Sequence, residues 1–116
     1  IMKENVVKDK SFGFAVRIVN LYKHLSQEKK EFVLSKQLLR SGTSIGANVE
    51  EAIGGISKAD FKAKLGIAYK EARETAYWLR LLHTTEFLDY KEYESIHADC
   101  DELCKLLFSI IKSTNK

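Results

Sequence analysis

One stretch of the chain, from Leu38 to Ala52, has the periodicity of a helix but carries small and polar side chains where a core helix usually has leucine. Gly42 and Gly46 lie four residues apart within it. Each glycine costs roughly 1 kcal/mol relative to alanine in a helix, so the pair indicates the close approach of a second helix. We expect that partner to be the stretch from Lys70 to Leu79, which is also rich in small and polar residues.

The composition is that of a single soluble globular domain, which we assign to residues 1–116. Proline is absent, which favours long uninterrupted helices. Neither a signal peptide nor an apolar run long enough to span a membrane is present, so we expect a cytoplasmic location. Cys100 and Cys104 lie one helical turn apart and are typical of reduced, buried thiols, because a zinc site would need a second pair of ligands.

Apolar periodicity predicts four helices joined by short connections. They run from about Val7 to Leu25, from near Ser35 to Gly54-Gly55, from Lys58 to about Phe87, and from Lys91 to about Ser113. Ser26 and Ser35 are both candidate N-caps for the second helix, and we prefer a start near Ser35. The stretch Ser57-Lys58-Ala59-Asp60 resembles a capping box that starts the third helix. The fold class is therefore all-α, an antiparallel up-down-up-down four-helix bundle.

The first helix has more apolar surface than one bundle needs. Its apolar positions cover an arc of roughly 220° at 100° per residue, whereas an amphipathic helix needs about 100°. We therefore expect its second apolar side to be covered by a neighbouring subunit.

Polar residues line the edges of the second and third helices. Ser41, Ser44, Asn48 and Glu51 follow at helical spacing on the second, and Glu71, Glu74 and Thr75 lie beside the apolar face of the third. Half-buried polar groups need partners, so we predict a hydrogen-bond network between the helices, with Asn48 and Glu71 as its main members. Its expected role is to fix helix register, while a ligand site and a solvated face are the alternatives.

Motifs of catalysis or metal binding are weak. A ferritin-like centre needs two Glu-x-x-His pairs in addition to two further glutamates. Only Glu94 and His97 supply this spacing, because neither of the other two histidines follows a glutamate by three residues. The sequence contains no Gly-x-Ser-x-Gly elbow and no phosphate-binding loop. We predict a protein that is not an enzyme and has no cofactor, with a carboxylate metal site using Glu71, Glu74, Glu94 and His97 as an alternative.

The net charge of +3 is mildly basic and permits contact with nucleic acid. The candidate contact residues are Arg17 on the first helix and Lys62, Arg73 and Arg80 on the third. A purely solvating role for these charges is the alternative.

Three stretches together resemble one known family: Gln37 to Ala52, Ser57 to Phe61, and Lys70 to Leu79. The family comprises bacterial four-helix-bundle proteins first noticed as reading frames in intervening sequences of 23S rRNA genes, and the resemblance spans about residues 10 to 110. It implies a bundle that assembles into a homopentamer. It also relates the chain to the accessory protein of diversity-generating retroelements, which works with a reverse transcriptase and is associated with nucleic acid through a basic surface.

The predicted function is that of a non-enzymatic, oligomeric binding or scaffold protein, with RNA or DNA as its candidate ligand. A pentamer would repeat the basic surface five times and multiply weak phosphate contacts. The alternative from another class is an adaptor for a protein partner encoded by a neighbouring gene.

Overall fold

Four long helices account for most of the residues that the computed structural model describes, which are residues 2–115. They are α1 (Met2–Gln27), α2 (Leu34–Ile53), α3 (Lys58–Thr84) and α4 (Tyr90–Thr114), and this part of the chain has no strand. The observed bounds lie close to the predicted ones, except that α1 begins about a turn earlier and α3 ends three residues sooner. Glu86 adopts a φ of 70°, a left-handed conformation that is incompatible with a right-handed α-helix, so α3 ends before it. Ile1 and Lys116, the ends of the predicted domain, lie outside the described residues.

The helices form a ring in which each contacts two neighbours: α1 packs against α2 and α4, and α3 packs against the same two. In each contacting pair, residues early in one helix contact residues late in the other. Between α2 and α3, for example, Ser41 contacts Thr75, whereas the later Glu51 contacts the earlier Lys64. Successive helices are therefore antiparallel. The bundle measures 45 × 20 × 18 Å, and none of its helices in the described range is long and apolar enough to cross a membrane.

The core lies along the bundle axis and is built from the apolar stripes of all four helices. Its largest fully buried members include Ile18, Leu25, Leu38, Ile45, Leu65, Leu79, Ile96 and Leu107. Two isoleucines that continue the helical spacing of the buried Ile45 and Val49 in the sequence lie outside the core. Ile53 is the last residue of α2 and is 40% exposed, and Ile56 lies in the following loop and is 98% exposed. The helical spacing ends with α2, so it does not direct the side chain of Ile56 toward the core.

The helix starts show which capping predictions hold. The backbone N–H of Asp60 donates to Ser57 Oγ at 3.0 Å, which confirms Ser57 as the N-cap of α3. Ser35, the preferred N-cap of α2, is instead a buried residue of its first turn. The carboxylate of Glu31 takes the capping role and accepts the backbone N–H groups of Val33, Leu34 and Ser35 at 3.2, 3.1 and 2.7 Å.

Candidate functional site

The two glycines of α2 make close contact with α1. A Cβ at Gly42 would lie 2.7 Å from Ile18 Cγ1, and one at Gly46 would lie 3.3 Å from the backbone oxygen of Ser11. The close approach predicted from the glycine pair is therefore present, but its partner helix was wrongly assigned. Gly42 and Gly46 face α1 rather than the stretch from Lys70 to Leu79 on α3.

The contact between α2 and α3 is polar instead. The hydroxyl groups of Ser41 and Thr75 are hydrogen-bonded at 2.9 Å, and both residues are fully buried. Nearer the surface, Arg40 donates to the carboxylate of Glu74 at 2.6 Å. The indole Nε1 of Trp78 donates to the same carboxylate oxygen at 3.0 Å. Arg40 was not among the predicted network residues, although it lies within the stretch that indicated the close approach.

Two further glutamates from the predicted set reach across the same pair of helices. Glu51 forms an ion pair with Lys64 at 3.0 Å. Oε2 of Glu71 lies 3.7 Å from a guanidinium nitrogen of Arg40, too far for a hydrogen bond, and no other described group hydrogen-bonds to this buried oxygen. Glu71 thus contributes charge attraction to Arg40 rather than a well-formed hydrogen bond.

Ser44 and Asn48 bond within their own helix. The Ser44 hydroxyl donates to the Arg40 carbonyl at 2.6 Å, and the Asn48 amide donates to the Ser44 carbonyl at 2.8 Å. Asn48 was expected to be a main link between the helices, but its amide hydrogen-bonds within α2 instead. A side chain at a helix edge can reach the carbonyl one turn earlier without crossing to a neighbouring helix.

The residues of the alternative metal site are not brought together. Glu71 and Glu74 lie beside Arg40 of α2. On α4, Glu94 accepts a hydrogen bond from Tyr90, and the His97 ring packs against Tyr93. Residues 2–115 contain no group of three or more histidine, cysteine or acidic side chains that could hold a metal ion.

The two cysteines are free and form part of the α3–α4 contact. The buried thiol of Cys100 donates to the Ala72 carbonyl at 3.2 Å, a distance made accessible by the small side chains in the middle of α3. A hydrogen bond with Cys104 and burial together raise the pKa of Cys100. The same hydrogen bond lowers the pKa of Cys104. Partial burial opposes this shift, and the positive charge of nearby Arg73 adds to it.

An apolar surface remains uncovered on α1. Phe12 is 71% exposed and Val16 is 46% exposed. Gly13 follows Phe12 in the chain and lies about one residue position further around the helix, and a Cβ there would meet nothing within 4 Å. We call these three residues the α1 apolar face. It borders a cleft of about 680 Å³ between α1 and α2, whose α2 wall includes Thr43 and Ala47.

The four predicted nucleic-acid contacts separate into two groups. Arg17 lies between α1 and α4, where it pairs with Asp99 at 2.7 Å and with Glu92 at 3.7 Å. These carboxylates offset its charge within the chain, so Arg17 is a weaker candidate for phosphate contact than a cation without an ion pair. Lys62, Arg73 and Arg80 are exposed on α3, and none of them forms a salt bridge with another described residue.

These features define an all-α bundle protein with an uncovered apolar face on α1 and three exposed cations on α3, Lys62, Arg73 and Arg80, that form no ion pair with another described residue. The sequence profile of the family described as "23S rRNA-intervening sequence protein" matches residues 3–109, and the chain belongs to that family. This confirms the resemblance found in the sequence. The sequence matches no curated protein.

A solved structure is similar over nearly the whole chain. It is the crystal structure of a protein with unknown function from the S23 ribosomal protein family of Bacteroides thetaiotaomicron. The two chains are 65% identical, with a TM-score of 0.94, over 95% of this chain and 98% of the other. The bundle architecture is thus shared with a protein whose own role is not assigned.

Proposed function

We propose that this protein is a homo-oligomeric scaffold of the bacterial cytoplasm, assembled as a pentamer, that presents repeated basic surfaces to RNA or DNA. The observation that carries the proposal is the α1 apolar face. Phe12, in the middle of α1, exposes 71% of its surface in the single chain. A second copy of the chain that covers this face would remove its apolar surface from water.

Gly13 supports assembly through this face. An interior glycine destabilises a helix by roughly 1 kcal/mol relative to alanine, and at Gly13 no neighbour within the chain occupies the space of the missing side chain. Glycine is useful at such a position where another backbone must approach closely. A neighbouring helix that packs across Gly13 and against Phe12 and Val16 would explain all three residues at once.

The unpaired cations of α3 support the nucleic-acid part of the proposal. Lys62, Arg73 and Arg80 carry charge that no carboxylate of the described chain neutralises by ion pairing. Arg73 donates a hydrogen bond to the Tyr69 hydroxyl at 3.1 Å, and its guanidinium, like that of any arginine, stays charged at physiological pH. In a pentamer these three cations would occur five times, and repeated weak phosphate contacts add up to useful, salt-sensitive affinity.

Light scattering on purified protein tests the assembly. We expect wild-type protein to be a pentamer at micromolar concentration, and F12E to be a folded smaller species because the new charge cannot be buried at an apolar contact. The matched control is I67E, which changes a 44% exposed isoleucine on α3. A monomeric wild type would refute the assembly. If I67E dissociated the protein and F12E did not, assembly would stand but its surface would be wrongly assigned.

Binding to mixed RNA, measured by fluorescence anisotropy at rising salt, tests the ligand. We expect affinity to fall steeply with salt concentration, because counterions are released from each phosphate contact. The variant R73Q/R80Q should bind more weakly and lose part of this salt dependence. A stable pentamer that binds neither RNA nor DNA at low salt would remove the nucleic-acid part and favour the adaptor role.

A further inference from the structure

The outer side of α3 interleaves cations with aromatic rings. Lys62, Tyr69, Arg73, Tyr77 and Arg80 recur at helical spacing and share one side of the helix. They cover roughly 27 Å along its axis, at 1.5 Å per residue. Together with Gly66 we call them the α3 stripe, and it contains no acidic residue.

Contacts within the chain hold the rings of this surface in place. Tyr77 packs edge-on against Trp78 at 5.1 Å and is still 49% exposed. Beside the stripe, Phe108 of α4 packs against Tyr69 at 5.9 Å and is 54% exposed. Arg73 donates to the Tyr69 hydroxyl at 3.1 Å. The rings are therefore partly ordered before any ligand binds, which lowers the entropy lost on binding.

Gly66 lies in the interior of α3, between Lys62 and Tyr69 of the stripe. Glycine at such a position destabilises the helix relative to alanine, and a Cβ there would meet nothing within 4 Å. Packing within the chain does not require it. A glycine does allow a ligand to approach the helix backbone between Lys62 and Tyr69.

We infer that the α3 stripe binds single-stranded nucleic acid, with its cations on phosphates and the rings of Tyr77 and Phe108 stacked on unpaired bases. The inference rests on the proposed nucleic-acid binding and specifies its ligand. Every unpaired base has a face that can stack on an aromatic ring, whereas the bases of a duplex are already stacked on each other. Cations alone would bind both forms, and the exposed rings between them favour the single strand.

The test compares two ligands on the full-length protein. Anisotropy is measured at about 50 mM salt with a fluorescent oligouridine and with an RNA duplex of the same length. We expect Y77L and F108L each to weaken oligouridine binding at least about fivefold and to leave duplex binding unchanged. Y77F keeps the ring and should bind like wild type. F32L, which alters a 53% exposed ring in the α1–α2 loop, is the matched control and should change neither ligand.

The outcomes separate this inference from the function on which it rests. If R73Q/R80Q weakens binding but Y77L and F108L do not, base stacking is refuted and a basic nucleic-acid surface remains. If neither ligand binds wild-type protein at low salt, the nucleic-acid function itself fails. Light scattering accompanies each variant, and a change of oligomeric state in folded Y77L would identify the stripe as a contact between copies, which also overturns the inference.

Discussion

The substitution G42A tests the close contact between α1 and α2 directly. The added methyl group would lie 2.7 Å from Cγ1, 2.8 Å from Cγ2 and 3.1 Å from Cδ1 of Ile18. All three distances are shorter than an ordinary carbon–carbon contact of about 3.5–4.0 Å. Ile18 is fully buried, and a β-branched residue in a helix has one strongly preferred χ1 rotamer. Because both γ-carbons clash, a rotation that relieves one contact brings the other branch closer.

Two opposing effects set the size of the change. Alanine favours the helix over glycine by about 1 kcal/mol, whereas forcing a methyl group into a packed core costs about 1–3 kcal/mol. We expect the clash to exceed the gain and the free energy of unfolding to fall by up to about 2 kcal/mol. The same substitution at Gly66, where the space is open, should raise it by about 0.5–1 kcal/mol. The two glycines therefore give changes of opposite sign.

Urea denaturation followed by circular dichroism measures these changes, at one fixed protein concentration because assembly contributes to stability. A double-mutant cycle identifies the source of the clash. I18A alone should cost about 2–5 kcal/mol. In its background the methyl group of G42A has room, so G42A should become neutral or stabilising and the coupling should reach about 2 kcal/mol. If G42A stabilises the wild-type protein as much as G66A does, α1 and α2 are not in close contact and the reasoning is refuted.

Three further predictions follow from particular contacts. Partial burial raises the pKa of Glu31, but its hydrogen bonds from backbone N–H groups lower it more, so the net pKa lies below its usual value. Because this carboxylate caps α2, E31Q should lower the free energy of unfolding by about 1 kcal/mol at neutral pH. In urea titrations this loss should be full above the unfolded-state pKa and should vanish as pH falls through the lower folded-state pKa, because the protonated carboxyl, like glutamine, lacks the negative charge that strengthens these hydrogen bonds. The variant T75V should lower the free energy of unfolding by about 1–2 kcal/mol, because the buried Ser41 hydroxyl loses its hydrogen bond with Thr75. The double variant T75V/S41A should lose less stability than the sum of the two single changes. Iodoacetamide should label Cys104 before Cys100, as read by intact mass, and C104S should abolish the fast reaction while C100S keeps it.

Helix positions and bundle class follow from periodicity because each helix repeats its apolar pattern over many turns. The wrong partner for Gly42 and Gly46 has a geometric cause. A periodic pattern shows on which side of α2 the small residues lie, but in a four-helix ring two different helices flank that side. Only the handedness of the ring decides that the glycines meet α1 and that Ser41 meets α3, and helical periodicity does not reveal this handedness.

Local competition explains other differences at the candidate site. Glu31 caps α2 although it lies outside the helix and is not among the preferred N-cap residue types. Its carboxylate is long enough to accept three backbone N–H groups at once. Asn48 likewise bonds the carbonyl of Ser44 on its own helix. Residue type and spacing identify such polar groups but do not choose between a partner one turn away and a partner across the interface.

Arg17 shows how intrachain pairing changes the electrostatic interpretation. From the sequence alone, Arg17 is as good a candidate for phosphate contact as the cations of α3, because its acidic partners Asp99 and Glu92 lie far along the chain on α4. Once the bundle forms, carboxylates pair with arginine and lysine residues on several faces, while Lys62 and Arg73 keep their full charge. A net charge of only +3 therefore does not argue against a nucleic-acid surface. What governs phosphate binding is the local density of cations left after intrachain pairing, and Lys62, Arg73 and Arg80 of α3 are among the exposed cations without an ion pair in the described chain.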